Sequence, residues 1–386
     1  MQKDMFKEKI NMLVFVIGLW MLMLRQMAAM MPIVPKFSNI AYVYGDKVLW
    51  LGIAVLGFLI IANKPTIIDI IACAWSIVAF QISDNAVLMI LTFLLFALYK
   101  SDIDRNFAVK AWMVPVTFLM IVVLPLYPIL HMQGNPIAED YGGIRWNYFF
   151  GHPNGFGLWF TFWIFGMIYL GYKRLSCWMV SLILLGVAVF LAVVPGNKTA
   201  ALVLLLGIPI LLLERYSWKL CRLILYVIPI VSILTTVVLT LLYYYGVLLC
   251  DQYVFHPTFS MRFQDAAINL QQCPLNLLGQ KVLHLGESIA IHGVIRHDVS
   301  MDNGIVAVLI YYGIIVGILL IGFFVKSIFK LLSAADEKDR IKVILLVLTF
   351  VFGMMEWLAW YGTIGFSMFF LGEWIRKDDK KKSELA

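Results

Sequence analysis

The sequence predicts an all-α integral membrane protein with about twelve transmembrane helices. Of its 386 residues, 62% are hydrophobic and 14% are charged, whereas a soluble domain carries about 25% charged residues. Apolar runs near the ~20-residue length of a membrane span recur along the chain. Lipid cannot satisfy the backbone of an open strand, so these spans must be helices. We therefore expect one polytopic membrane domain over residues 1–386.

Twelve apolar runs define the expected spans. They lie at 10–31, 47–62, 66–83, 85–99, 111–130, 154–172, 175–194, 200–214, 219–249, 303–326, 341–356 and 358–375. The first, fifth and ninth are the clearest, and Glu356 separates the last two. The first run is longer than a signal-peptide core and has no small-residue cleavage site after it, so we expect it to be retained.

The basic residues predict the orientation of these spans. With the N-terminus in the cytoplasm, the segments on that side hold roughly three times as many Lys and Arg residues as the opposite side. Both termini are then cytoplasmic, and two polar loops, 131–153 and 250–301, are extracytoplasmic. The net charge of +7 is mostly this anchoring signal and does not indicate nucleic-acid binding.

Two absences in the sequence narrow the class of protein. No internal repeat is visible, which disfavours transporters built from duplicated halves. The five cysteines lack metal-ligand spacing, and the sequence predicts no metal site. Cys250 and Cys273 share the long loop and could form a disulfide, although we expect them to be reduced.

The first polar loop carries an anion-binding pattern. Arg145 follows two glycines, and its guanidinium could grip a phosphate with two parallel hydrogen bonds or snorkel at lipid headgroups. Pro153 is placed to begin a helix, whose N-terminal amides would offer an anion site beside Asn154. His152 is more readily explained as a hydrogen-bonded structural histidine.

Two more cations lie in predicted extracytoplasmic segments. Lys198 occupies a tight turn between the seventh and eighth spans, where it is either a plain interfacial lysine or a point charge for a diphosphate. Arg262 lies in a segment whose apolar residues recur at helical spacing. It could bind a ligand or pair with Asp265 at the surface.

Polar residues immediately before the tenth span have two interpretations. Asp302 and Asn303 could cap the helix, which is the simplest explanation. Asp302 or His297 could instead act as a general base at the lip of a membrane cavity.

Other polar and aromatic residues are expected in or beside the spans. Arg25, Glu356 and Glu373 are costly there unless paired, so we expect pairing within the bundle. Three aromatic residues near Arg145 could anchor the chain at the interface or stack on sugar rings; they are Trp146, Tyr148 and Trp159.

Three short motifs, in this order, resemble those of the O-antigen ligase and polymerase superfamily. They are 145–157 with its Gly-His-Pro-Asn-Gly, 262–279, and 302–317, and the resemblance covers about 137–372. Lys198 stands where the family usually has the arginine of a Ser-x-Arg turn. Asp302 and Asn303 replace the His-Asn of ligases, as in polymerases of capsule and exopolysaccharide pathways, which favours a polymerase.

The resemblance implies a GT-C-like glycosyltransferase in the bacterial cytoplasmic membrane. It would join undecaprenyl-diphosphate-linked oligosaccharide repeat units on the outer face, by inverting transfer without a metal, a sugar nucleotide or another cofactor. Its catalytic residues would be Asp302 or His297 as the general base, with Arg145 and Arg262 stabilising the departing diphosphate. The residues expected to bind the diphosphate and glycan are Arg145, His152, Asn154, Lys198, Arg262 and Asn303.

Three other functions stay open at this point. A ligase would move a finished glycan to a different acceptor, and a flippase or transporter would bind the same lipid without forming a bond. A scaffold in a polysaccharide machine is the third. Besides the lipid-linked glycan and the bilayer, a chain-length regulator and a flippase of the same pathway are candidate partners.

Overall fold

The computed structural model describes residues 2–31, 35–131, 139–140, 143–144, 146–172, 174–249, 252–254, 257–282, 289–291, 294–296, 301–336 and 339–375. These residues form twelve α-helices: α1 (Gln2–Met30), α2 (Pro35–Ala62), α3 (Ile67–Ser83), α4 (Val87–Lys100), α5 (Arg105–His131), α6 (Pro153–Gly171), α7 (Cys177–Val193), α8 (Lys198–Tyr216), α9 (Trp218–Tyr244), α10 (Pro257–Gln272), α11 (Gly304–Ala334) and α12 (Arg340–Met355). The fold is all-α, as the sequence predicts.

The β-structure in the described ranges is limited to two short antiparallel pairs. The strand β1 (Glu139–Asp140) pairs with β2 (Gly143–Ile144), and β3 (Ile289–Ile291) pairs with β4 (Val294–Arg296). Each pair lies in one of the two polar loops, so neither interrupts a predicted span.

Six described helices are long and apolar enough to cross a membrane. They are Met5–Met30, Val43–Ala62, Arg105–Ile129, Lys198–Tyr216, Trp218–Tyr244 and Gly304–Ser333. Large apolar side chains cover their outer faces, as at Phe118 (72% exposed) and Leu319 (66% exposed). Acyl chains cover such faces without the cost that water would impose. The chain is therefore a membrane-embedded, all-α protein, and a total of twelve spans stays a prediction.

The last predicted span is wrong as a continuous helix. Each of the first eleven apolar runs coincides with an α-helix, but 358–375 contains two short 3-10 turns, Trp357–Trp360 and Phe366–Phe370. Gly372 adopts a φ of 71°, outside helical geometry, so the 3-10 turn at Phe366–Phe370 does not continue smoothly into the residues after it. The Trp112 indole donates to the carbonyl of Thr363 at 2.7 Å, satisfying a group that the interrupted backbone leaves unpaired.

The described chain divides into two compact units. The first comprises 1–71, 90–215 and 362–370, and the second comprises 72–89, 216–361 and 371–386. In the first unit, α1 and α2 pack closely through glycines. A Cβ on Gly18 would lie 2.7 Å from Leu56, and a Cβ on Gly52 would lie 2.8 Å from Leu22. Small residues at such contacts are typical of helices packed in membranes.

In the second unit, α11 is broken at Gly313, whose φ and ψ are 80° and 168°. An unbroken helix would join the carbonyl of Ile310 to the amide of Ile314. Instead, the Gln280 amide donates to Ile310 at 3.1 Å, and the Ile314 amide donates to the carbonyl of Asn276 at 2.9 Å. The segment 274–280, which we call the insertion loop, thus supplies both missing partners.

Glycine is required on both sides of this contact. A Cβ on Gly279 would lie 2.1 Å from the carbonyl oxygen of Tyr311, and a Cβ on Gly313 would lie 2.3 Å from that of Leu277. Both glycines also have positive φ, which side-chain-bearing residues rarely adopt. The second and third sequence motifs therefore meet backbone to backbone.

Candidate functional site

Arg262 lies on α10, which confirms the helix predicted from apolar spacing. Pro257 occupies the first helical position, where its missing amide costs nothing. Phe263 and Ala267 are buried on the face that packs against Leu239 and Tyr243 of α9. This packing fixes the position of α10 and therefore the backbone position from which the Arg262 side chain extends.

Arg262 pairs with two carboxylates from distant parts of the second unit. Its Nη2 lies 2.8 Å from Oε1 of Glu356, and its Nη1 contacts Oδ2 of Asp302. The side chains of Arg262, Asp302 and Glu356 are 14%, 18% and 6% exposed. These three residues, the Arg262 cluster, take the place of the predicted surface pair with Asp265.

Glycines bring the two acids to one guanidinium. A Cβ on Gly304 would lie 2.2 Å from the carbonyl oxygen of Gly353, so the start of α11 touches the end of α12 at backbone distance. The Trp357 amide donates to the carbonyl of Asp302 at 2.9 Å. Asp302 therefore precedes this crossing and Glu356 follows it, which leaves both carboxylates near Arg262.

The charge balance of the Arg262 cluster is negative. One guanidinium faces two carboxylates, which gives a formal charge of −1 when all three are ionised. Removing one partner of a buried ion pair costs about 3 to 5 kcal/mol because the other charge stays uncompensated. Arg262 is therefore committed to holding the acids, and its guanidinium is a weaker candidate for a diphosphate than the sequence suggests.

Asn303 is the N-cap of α11, which confirms one of the two predicted caps. Its side-chain oxygen accepts from the Val306 amide at 3.2 Å. Asp302 does not cap the helix, because its carboxylate binds Arg262. Within the described residues of this site, two buried donors have no hydrogen-bond partner: Nδ2 of Asn303 and Nε of Arg262. Buried donors of this kind are rare, and they mark where a ligand or water could bind.

The first unit holds the predicted helix start. Pro153 begins α6, and His152 is its N-cap, with Nδ1 accepting from the Asn154 amide at 3.1 Å. This confirms the structural role expected for His152. The carbonyl of Asn154 accepts from Nδ2 of Asn197 at 3.3 Å.

Asn197 joins α6 to the turn before α8. It is 1% exposed, and its side-chain oxygen caps α8 by accepting from the Ala200 amide at 2.9 Å. A Cβ on Gly157 would lie 2.2 Å from its Nδ2. Gly157 of the first motif thus makes room for this amide. Lys198, the first residue of α8, is exposed.

Two predicted site residues, Arg145 and His297, lie outside the described residues. Among the aromatic candidates for sugar stacking, Tyr148 is 4% exposed and stacks on Phe156 at 4.2 Å. Burial raises the pKa of Tyr148 to about 12, and the nearby Tyr127 phenol adds to the rise. Trp159 is fully buried and stacks on Trp112. Tyr148 and Trp159 are therefore core residues rather than open sugar platforms.

The other charges expected to pair also have partners. Lys342 contacts Glu373 at 2.7 Å and Asp339 at 3.1 Å. Nη1 of Arg25 donates to the side chain of Gln26 at 3.3 Å. Cys273 is a free cysteine, and burial raises the pKa of its thiol. No group of three or more His, Cys, Asp and Glu in the described ranges is arranged to hold a metal ion.

Sequence reasoning missed Glu356 as a site residue. The available signal was an acid isolated between two apolar runs, which indicates a buried partner without identifying it.

No protein-family model, curated protein or solved structure matches the chain. The family resemblance of the three motifs therefore stays a prediction, and the residues themselves carry the functional proposal.

Proposed function

We propose that the protein is a membrane glycosyltransferase that polymerises polysaccharide. It joins undecaprenyl-diphosphate-linked oligosaccharide repeats on the outer side of the bacterial cytoplasmic membrane. One observation carries the proposal: Arg262 holds Asp302 at the start of α11 within an apolar helical protein. Such a placement is costly for a merely structural aspartate, and it suits a carboxylate that must stay charged in a lipid-facing enzyme.

The chemistry needs a proton acceptor and a stabilised leaving group. The hydroxyl oxygen of one repeat unit attacks the anomeric carbon of the glycan on the other lipid. A new glycosidic bond forms, the bond from that carbon to the phosphate oxygen breaks, and the diphosphate leaves with the electron pair. Asp302 takes the hydroxyl proton, with His297 as the alternative base. Attack from the face opposite the phosphate inverts the anomeric centre.

The positive side chains divide between two roles. Arg262 positions Asp302 through their ion pair, while Glu356 holds the second guanidinium nitrogen. The family resemblance assigns Arg145 and Lys198 to the developing charge of the diphosphate, which preorganised cations neutralise at low reorganisation cost. Asn303, with its unpartnered buried amide, is the candidate to bind a sugar hydroxyl.

The test is reconstitution of the purified protein in liposomes with lipid-linked repeat units as the sole substrate. The wild type should give a ladder of longer glycans, and Asp302→Asn should give none. Asp46→Asn changes an exposed aspartate of α2 in the same way and should leave the ladder intact.

Other outcomes would replace the proposal. Movement of the lipid across the bilayer without any ladder identifies a flippase. Transfer of a complete glycan to an added acceptor, again without a ladder, identifies a ligase. A full ladder from the double variant with Asp302→Asn and Arg145→Ala would refute the roles assigned to these two residues.

A further inference from the structure

A groove of about 500 Å³ opens between α9 and α11 in the second unit. Both helices are long and apolar enough to cross a membrane. A Cβ on Gly322 would meet no atom within 4 Å, so the groove stays open beside this residue. Its lining includes Tyr226, Gly322, Val325, Lys326, Phe329 and Lys330.

Cations gather at one end of the groove. Lys326 and Lys330 are one helical turn apart on α11, and their ammonium groups lie 5.0 and 5.6 Å from the ring centre of Trp374. The Trp374 indole donates to Ser327 at 3.4 Å, which holds this ring in place. On the other wall, the guanidinium of Arg222 lies over the Tyr226 ring at 5.7 Å.

These cations differ from three lysines of the protein that form ion pairs. Lys100, Lys281 and Lys342 each contact a carboxylate at 3.1 Å or less. Lys326 and Lys330 have no carboxylate partner within the described ranges, and the same holds for Arg222. Positive charge at this end of the groove is therefore available to an anion.

The helix surface next to the groove suits a hydrocarbon chain. Ile318 and Leu319, one turn before Gly322, are 59% and 66% exposed, and Val227 on α9 is 46% exposed. From Gly322 to Lys330 the helix rises about 12 Å, close to the length of a lipid headgroup with its first methylenes. Positive charge at one end of the groove and apolar side chains beyond its other end match an amphiphile with a negative head.

We propose that this groove binds an anionic glycerophospholipid. Its phosphate lies at Lys326 and Lys330, and an acyl chain runs past Gly322 along α11. Basic pockets between transmembrane helices recognise such headgroups. The sequence places this end of α9 and α11 on the cytoplasmic side, opposite the proposed glycosyl-transfer site. The inference requires only a membrane protein and does not depend on the proposed enzyme activity.

The test is native mass spectrometry of the full chain in detergent, titrated with phosphatidylglycerol or with phosphatidylcholine of the same acyl chains. The wild type should retain phosphatidylglycerol preferentially. Lys326→Ala with Lys330→Ala should weaken its binding about 30-fold, from roughly a fivefold contribution per lysine near the membrane surface. Lys110→Ala, an exposed lysine of α5, is the matched control and should bind like the wild type.

A second variant separates groove binding from general electrostatic attraction. Gly322→Leu keeps every charge but fills the groove, and it should weaken phosphatidylglycerol binding at least tenfold. Equal binding of the two lipids by the wild type would overturn the proposal. So would full binding by Gly322→Leu, or displacement of the lipid by millimolar inorganic phosphate, which would indicate a plain anion site. Replacing both lysines by arginine should preserve binding, and its loss would also count against the site.

Discussion

The Arg262 guanidinium lies 2.8 Å from the carboxylate of Glu356, although the two residues are 94 positions apart in the chain. This contact ties α10, which the sequence places in a loop, to the end of α12. The Arg262 cluster therefore connects distant segments of the chain, in addition to being the candidate reaction centre. The two roles can be separated by experiment.

Arg262→Ala should destabilise the protein by about 3 kcal/mol or more, because two largely buried carboxylates lose their counter-charge. The midpoint of denaturant-induced unfolding in detergent measures this loss. Combining Arg262→Met with Glu356→Gln should recover part of the stability, since the double variant no longer buries an unpaired acid at position 356. No recovery would show that the pair is not coupled as the structure indicates.

Asp302→Asn should behave differently. It keeps the side-chain shape and leaves Arg262 with one acid, Glu356. The free energy of unfolding should therefore change by about 1 kcal/mol or less. Polymer synthesis should nevertheless be lost, because an amide does not accept the hydroxyl proton. A large loss of stability with polymer synthesis retained would show that Asp302 stabilises the protein and is not the proton acceptor.

Gly313→Ala should destabilise the second unit by about 2 kcal/mol or more, because a Cβ there meets the Leu277 carbonyl and the positive φ becomes strained. Gly186→Ala is the matched control. Gly186 lies within α7, where an added Cβ would meet no atom within 4 Å, and alanine there should stabilise the helix by about 0.5 to 1 kcal/mol. The unfolding midpoint should therefore fall for Gly313→Ala and rise for Gly186→Ala.

Gly157→Ala should destabilise the first unit by pushing on the Asn197 amide. Asn197→Ala should cost about 1 kcal/mol through the lost cap of α8. The double variant should be more stable than the sum of the two losses predicts, because alanine at 197 removes Nδ2 and Cγ, the two atoms that Gly157→Ala approaches most closely. Strict additivity would mean that the close approach does not occur.

Maleimide should label Cys273 slowly at pH 7, since burial raises the pKa of the thiol and the thiolate is the reactive form. The rate should rise about tenfold for each pH unit until the pH reaches that raised pKa. Peptide mapping by mass spectrometry distinguishes this cysteine from the other four. Rapid, pH-independent labelling would contradict the buried, neutral thiol.

Local patterns predicted the local structure well. The spacing of Phe263 and Ala267 indicated α10, Pro153 marked the start of α6, and Asn303 proved to be the cap of α11. Each of these outcomes depends on residues within a few turns, where sequence periodicity and capping chemistry apply directly.

Long-range relations could not be predicted in the same way. The acid at 356 was expected to pair, but nothing near it in sequence identifies Arg262. The segment 358–375 is apolar enough for a span, and hydropathy does not report that its backbone turns twice. The break at Gly313 is likewise stable only because a distant loop supplies its hydrogen bonds.

The insertion loop meets α11 through main-chain atoms, and the side chains of Leu277 and Leu278 point outward, at 60% and 52% exposure. Such a joint depends little on the side chains at 277 and 278, but a change in loop length would disrupt it. This stretch can therefore vary at its exposed leucines as long as it keeps its residue number and Gly279. The insertion loop thus acts as a rigid support. It sets the direction of the N-terminal part of α11, before the break at Gly313.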